Sequence, residues 1–321
     1  MAPVNWGILG AAKFAREHMG PAIHAASGAR LAALATGSDD KFAAFSKRFP
    51  DLRRHTNYDA LLADPGIDAV YIPLPNAMHV EWGLKALDAG KHVLIEKPVA
   101  MKAGEIDALI AARDASGLMA TEAYMIVHHP QWRRTRMLLA DGAIGALRQV
   151  HCAFSFDNRD PENIRNRPEV GGGALPDIGV YALGSARFAT GLELSDLRAE
   201  IEWEGGVDTT ASVQGRLGEA GYSGYVSTRM HLYQEVRFHG EGGVIRLTAP
   251  FNPNVYDAAR IELHRAGEVS IERFPAANHY VNQVEAFSAH LRDGADYPWS
   301  LEDAQGTQAT IDAVYASGAQ T

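Results

Sequence analysis

Cysteine is almost missing from this sequence: Cys152 is the only one in 321 residues. That excludes an intrachain disulfide and a cysteine-rich metal cage, and it agrees with a reducing compartment. A basic excess is missing as well. Thirty Lys and Arg against 39 Asp and Glu leave a formal charge of −9, too acidic to hold a phosphate backbone without sequence specificity, so no nucleic-acid partner is expected. No apolar run approaches the ~18–20 residues needed to cross a bilayer. The opening Met-Ala-Pro-Val-Asn-Trp-Gly-Ile-Leu-Gly lacks the charged and apolar regions of a signal peptide. Internal repeats and low-complexity tracts are missing too. The expectation is a cytoplasmic protein with no membrane partner.

What is present is ordinary globular composition, 46% apolar and 21% charged, at a length that suggests two domains. The first part alternates short apolar runs with helix-like stretches. Val4–Leu9, Arg30–Thr36, Ile67–Leu74, His92–Ile95 and Leu118–Tyr124 read as strands. Between them Ala12–Ala26, Asp39–Phe49, Ala77–Ala89 and Lys102–Ser116 read as helices. This rhythm indicates βαβ units and a doubly wound parallel sheet. After about residue 145 strands follow one another through Gly-rich turns: Arg148–Phe156, Leu197–Trp203, Thr209–Leu217, Gly224–Met230, Gln234–His239, Gly243–Leu247 and Arg260–His264. Such strands pair antiparallel. Two helices, near Tyr280–Leu291 and from Ser300, close the chain, the second opened by a Ser300/Asp303 capping box. The expected fold is α/β followed by α+β. Residues 1–125 form a dinucleotide-binding domain, and 126–321 form a substrate and oligomerisation domain on one large, mostly antiparallel, open-faced sheet.

Four stretches carry candidate chemistry. Gly10-Ala11-Ala12-Lys13-Phe14-Ala15 follows the first strand and fits G-x-G-x-x-G/A with Ala at the second and third positions, a turn that brings pyrophosphate onto a helix N-terminus. The second strand ends at Thr36-Gly37-Ser38-Asp39. Neutral Thr36 and Ser38, where an acidic residue would hold a free ribose, favour NADP over NAD; Lys41 and Lys13 are the nearest cations. Glu96-Lys97-Pro98 ends a strand, where the ligand crevice of an open α/β sheet lies, although a lone Glu-Lys pair is more often a solvated loop. Gly171-Gly172-Gly173 leads to Asp177 and Tyr181, four apart and on one face if a helix starts there. A Tyr beside a cation is a sound base for an alcohol. Equally, the glycines read as a flexible loop, Asp177 as an N-cap and Tyr181 as a core aromatic. His79-Val80-Glu81 lacks the Pro-Cys-x-x-Cys half of a zinc-deaminase signature, adjacent His128 and His129 need not converge on one ion, and no metal is expected.

Together, Gly10-x-Ala12-x-x-Ala15, Pro75-Asn76-x-x-His79, Gly90-Lys91-His92-Val93-x-x-Glu96-Lys97-Pro98, Glu122-Ala123-x-Met125 and Gly171-Gly172-Gly173-x-x-x-Asp177-x-Gly179-x-Tyr181 resemble the Gfo/Idh/MocA oxidoreductase family over essentially the whole chain. Tyr181, and Asn163-Ile164-Arg165 before the glycines, are similar to the branch with dimeric dihydrodiol dehydrogenase and NADP-dependent D-xylose dehydrogenase. Ala12 and Gly37 depart from the pattern, the latter standing where many relatives carry Arg.

The resemblance implies a Rossmann domain and reversible hydride transfer between a nicotinamide and a hydroxyl or carbonyl of a sugar or related polyol. Lys97, Asp177 and Tyr181 would be catalytic, with Tyr181 moving the proton. Gly10, Ala12, Lys13, Phe14, Thr36, Ser38, Pro75, Asn76, His79, Glu96 and Lys97 would hold the cofactor, NADP ahead of NAD. Glu122, Tyr124 and Arg165 would join Lys97, Asp177 and Tyr181 around the substrate. A homodimer or dimer of dimers through the C-terminal sheet is expected, because its other face needs a cover. The rival is a non-catalytic nucleotide-sensing regulator on the same fold.

Overall fold

The computed structural model describes residues 2–253 and 255–318. They form two units: the chain up to His128 together with Asn278–Gln305, and His129–Ala277 together with the chain from Gly306 on.

The first unit is built on a six-stranded parallel sheet. Its strands are β1 (Val4–Leu9), β2 (Ala29–Ala35), β3 (Arg53–His55), β4 (Ala69–Ile72), β5 (His92–Ile95) and β6 (Ala120–Glu122), in the order β3-β2-β1-β4-β5-β6. Apolar residues alternate between two cores. Leu9, Ala33, Ala35, Val70, Ile72, Val93 and Ile95 face one cluster. Trp6, Ile8, Leu34, Ala69, Tyr71 and Leu94 face the other. A sheet buried on both faces explains why its strands read as continuous apolar runs. The chain turns helical at Lys13, passes through a wide π-turn at Ala15–Met19 and continues as α1 (Gly20–Ala25). Helices α2 (Asp39–Ser46), α3 (Tyr58–Leu62), α4 (His79–Asp88) and α5 (Ile106–Ser116) complete the crossovers. As expected, α5 stops at Gly117, whose φ of 66° suits a left-handed cap. The short β3 and α3 were not anticipated; Arg53-Arg54-His55 carries no apolar signal.

The second unit opens with α6 (Pro130–Ala140), runs through β7 (Leu147–Asp157) and α7 (Val180–Thr190), and then through β8 (Leu194–Glu204), β9 (Val207–Leu217), β10 (Ala220–Ser227), β11 (Arg229–Gly240), β12 (Val244–Leu247), β13 (Arg260–Arg265) and β14 (Glu268–Arg273). The eight strands lie in the order β14-β13-β12-β11-β7-β10-β9-β8. Every pairing is antiparallel except β7 with β10. The chain between those two is long enough for a crossover, which a parallel pair requires. Helix α7 is buried from Val180 to Ala189 and packs on β7 and β10, where the Tyr222 hydroxyl donates to the Ala182 carbonyl at 3.1 Å. Edge strand β14 is almost wholly exposed, so its sequence shows no burial pattern.

The chain then enters α8 (His279–Asp293) and α9 (Leu301–Gly318). Val284 and Phe287 of α8 are buried with Trp6 in the first unit, the Phe287 and Trp6 rings lying 4.8 Å apart. The first unit thus includes Asn278–Gln305, a segment that a division at 125/126 gives to the second domain. The capping box at α9 is as read: Ser300 N donates to Asp303 Oδ2 at 2.9 Å, and Asp303 N to Ser300 Oγ at 3.1 Å. Among the described residues no helix is long and apolar enough to cross a membrane.

Candidate active site

In the first unit the candidate residues gather at the C-terminal ends of the parallel strands. Gly10 ends β1 with a φ of 101°, and a Cβ there would stand 2.8 Å from a Leu74 methyl, so the turn requires glycine. Ala11 and Ala12 are half-buried and small, and Lys13 and Phe14 are exposed beside them. This cradle fits a pyrophosphate approaching the backbone. At the end of β2, Thr36 is buried, and its Oγ1 accepts from Ser38 N at 3.2 Å. Ser38 caps α2 by accepting from Lys41 N. Pairing of β3 with β2 brings up a residue the sequence reading missed. Arg54 donates from Nε to the Thr36 carbonyl at 3.4 Å, lies over the Phe42 ring, and pairs with Asp39 at 2.5 Å.

Farther along the edge, Pro75 and Asn76 are half-buried after β4, and Glu96 and Lys97 are half-buried after β5. Glu96 accepts from the Tyr71 hydroxyl and from Lys97 N. His79 is fully buried, with its ring nitrogens 2.8 Å from the carbonyls of Pro98 and Leu74. Burial pushes its pKa down. It touches the Lys97 loop from below. Glu122 and Tyr124 are only 2% and 0% exposed. Glu122 accepts from Val99 N and from Trp299 Nε1, each at 3.0 Å, and Tyr124 stacks on Trp299. Glu122 thus ties Val99, beside the Lys97 loop, to Trp299, and Tyr124 packs on the same indole.

In the second unit the glycine triplet is a close-packed device. A Cβ on Gly172 would stand 2.6 Å from the Arg165 carbonyl and 2.7 Å from that of Ile164. Gly173, with a φ of 134°, donates its N–H to the Arg165 carbonyl at 2.9 Å. The triplet therefore clamps the segment that carries Arg165. Asp208 holds the next turn, accepting from Leu175 N and the Tyr315 hydroxyl, each at 2.7 Å. The contact with Leu175 N is thus made by Asp208, and Asp177 turns to Arg165. Its carboxylate accepts from Arg165 Nε at 2.5 Å. Leu175–Gly179 is a wide π-turn leading into α7, a local form frequent at functional sites. Tyr181, on the first turn of α7, packs against Phe154 and Phe251. Asp177 and Tyr181 both raise the pKa of Arg165, Asp177 the more strongly. Asp177, Tyr181 and Arg165 therefore form one cluster.

His129 caps α6 by accepting from Gln131 N at its Nδ1, which accounts structurally for one residue of the adjacent histidine pair. Among the described residues no group of three or more His, Cys, Asp or Glu is placed to hold a metal ion.

Residues 4–124 match the model of the oxidoreductase family with an NAD-binding Rossmann fold, and residues 132–246 match the C-terminal domain of the same family. The chain belongs to the Gfo/Idh/MocA oxidoreductase family. A dTDP-3,4-didehydro-2,6-dideoxy-α-D-glucose 3-reductase from Saccharopolyspora spinosa is 36% identical, over 91% of this chain and 89% of its own. A D-xylose 1-dehydrogenase (NADP⁺) from Haloferax volcanii is 31% identical, over 97% and 96%. A 3-ketoreductase from Actinomadura kijaniata, solved with NADP and TDP-benzene, superposes with a TM-score of 0.90 at 29% identity, covering 98% of each chain.

Proposed function

We propose that this protein is an NADP-dependent oxidoreductase acting on a hydroxyl or carbonyl carbon of a sugar or related polyol, with Lys97 and Tyr181 as its acid–base pair. The observation that carries the reading is the Arg165–Asp177–Tyr181 cluster, in which a glycine clamp holds the segment of Arg165 and Arg165 pairs with Asp177. A nicotinamide, when bound, gives or takes the hydride. Tyr181 moves the proton at the substrate oxygen, the Lys97 ammonium stabilises negative charge growing on that oxygen, and Asp177, oriented by Arg165, holds a neighbouring hydroxyl.

The preference for NADP rests on neutral Thr36 and Ser38 and on Arg54, a guanidinium suited to bidentate recognition of a 2′-phosphate. Arg54 also draws the Asp39 carboxylate toward itself. The relatives named above act on a dTDP-linked sugar and on a free aldose, so the substrate class spans both. A nucleotide-sensing regulator would leave Lys97, Asp177 and Tyr181 without work. For assembly, we propose that a second copy covers the open face of the second unit's sheet, beside the exposed apolar stretch Met230, Leu232 and Tyr233 on β11.

The deciding experiment follows nicotinamide absorbance with NADP and NAD, in both directions, over free aldoses, inositols, diols and a dTDP-linked 3-keto sugar. Turnover of a sugar substrate with NADP is expected. Binding of NADP without turnover on any sugar would favour the sensor.

A further inference from the structure

Around Pro98, three consecutive residues each have a backbone polar group held by an ionisable side chain. Lys97 N donates to Glu96 Oε2 at 3.1 Å, the Pro98 carbonyl meets His79 Nδ1 at 2.8 Å, and Val99 N donates to Glu122 Oε1 at 3.0 Å. Glu122 differs from the other two because its second oxygen reaches a distant part of the chain, accepting from Trp299 Nε1 at 3.0 Å. The Lys97 loop and Trp299, 177 residues from Glu122, are therefore tied through a single carboxyl group.

An ionised carboxylate only accepts hydrogen bonds. Here both of its oxygens face N–H donors. A protonated carboxyl has lost its charge, and its hydroxyl oxygen accepts more weakly, so the N–H bond to whichever oxygen takes the proton loosens. We infer that Glu122 is a positioning residue whose ionised form sets the Lys97 loop and whose protonation releases either the loop or Trp299.

The charged and titratable groups around it fit such a switch. From the end of β5, Glu96 opposes ionisation and Lys97 favours it. The segment at 297–299 brings the neutral Trp299 and the Tyr297 phenol, itself pushed up by burial and close enough to feel Glu122. His128 lies against the Tyr297 ring. Burial dominates, and it lifts the Glu122 carboxyl to about 7.

The link to turnover rests on the reading of Lys97 given above, whereas the tie to Trp299 does not, and two measurements separate them. Tryptophan fluorescence of the intact protein should titrate with a midpoint near pH 7, a transition that Glu122→Gln and Trp299→Phe each abolish. An unchanged transition in Glu122→Gln overturns the tie. In the pH profile of kcat, activity should fall on the acid side of about 7. Glu122→Gln should remove that limb and lower kcat on the order of 10–100-fold, the scale of a small misplacement, with KM for NADP unchanged. Glu122→Asp should restore the limb at reduced kcat. Should the Gln variant fold poorly, Trp299→Phe removes one donor from the carboxylate and should shift the limb to higher pH. A wild-type limb in Glu122→Gln beside an inactive Lys97→Met overturns the positioning role. An active Lys97→Met instead overturns the reading of Lys97 and leaves fluorescence to decide the tie.

Discussion

The Arg54 guanidinium lies 2.5 Å from the Asp39 carboxylate, although the two are on different elements, β3 and the start of α2. Asp39 is 88% exposed and Arg54 only 27%, so the guanidinium, laid over the Phe42 ring, is the more fixed member of the pair. Arg54→Ala should weaken NADP binding about 10–100-fold, the range expected for losing a charge-assisted contact, and leave NAD binding unchanged or improved. Calorimetric titration of both nucleotides checks this. Equal losses for the two would show that Arg54 does not read the 2′-phosphate.

Tyr181→Phe should keep the fold and cofactor binding and lose kcat on the order of 10²–10⁴-fold, the usual contribution of general acid–base catalysis. Lys97→Met should fall by a comparable factor. The double variant should be little worse than the poorer single one, because the two residues act as a unit. Steady-state kinetics on the best sugar substrate decide it. Near-normal turnover in Tyr181→Phe would move the proton role elsewhere.

Gly173→Ala should be costly for a small substitution. Its backbone sits at a φ of 134°, and the added methyl would collide with the Asp208 carboxylate. Strain of this kind is worth about 1–3 kcal/mol, and at about 2–4 °C per kcal/mol for a domain of this size the thermal midpoint should fall visibly. Activity should drop further than stability does, because the segment carrying Arg165 shifts. Calorimetry alongside kcat separates the two effects.

His129 accepts from Gln131 N, so its Nδ1 must be unprotonated. Burial lowers its pKa from 6.5 to about 4. A group with a depressed pKa contributes stability that is fully present above its unfolded value and lost as pH falls through its folded one. Between about pH 6.5 and 4 the wild type should lose stability that His129→Asn, which keeps a capping acceptor, retains. Denaturant titrations at a series of pH values test this, and parallel curves would refute it.

A mass of two or four times 34.7 kDa is expected from light scattering at micromolar concentration. Leu232→Glu and Tyr233→Glu together should reduce it to that of one chain. A wild-type protein that is already monomeric would refute the covered face.

The parallel sheet is legible because its central strands β1, β2, β4 and β5 are largely apolar and helices α4 and α5 end at recognisable stops, Gly90 and Gly117. The glycine triplet and the Asp177–Tyr181 pair are equally plain, since their spacing survives the π-turn between them. Arg54 is hidden because its significance comes from the lateral pairing of β3, a three-residue strand without apolar signal. The tie between Glu122 and Trp299 is hidden as well, because the two lie 177 residues apart and no local pattern joins them. The parallel β7–β10 pair is similarly invisible to local turn chemistry, which speaks only for strands joined by a short turn.

Because α8 supplies Val284 and Phe287 to the core around Trp6, the first unit is completed by a segment made after His129–Ala277 of the second. During synthesis, the nucleotide-binding half leaves the ribosome with a greasy flank uncovered, and it stays that way while His129–Ala277 is translated. A nascent chain halted near residue 270 should be held by hydrophobic-binding chaperones and cut readily by proteases. The released full chain should escape both.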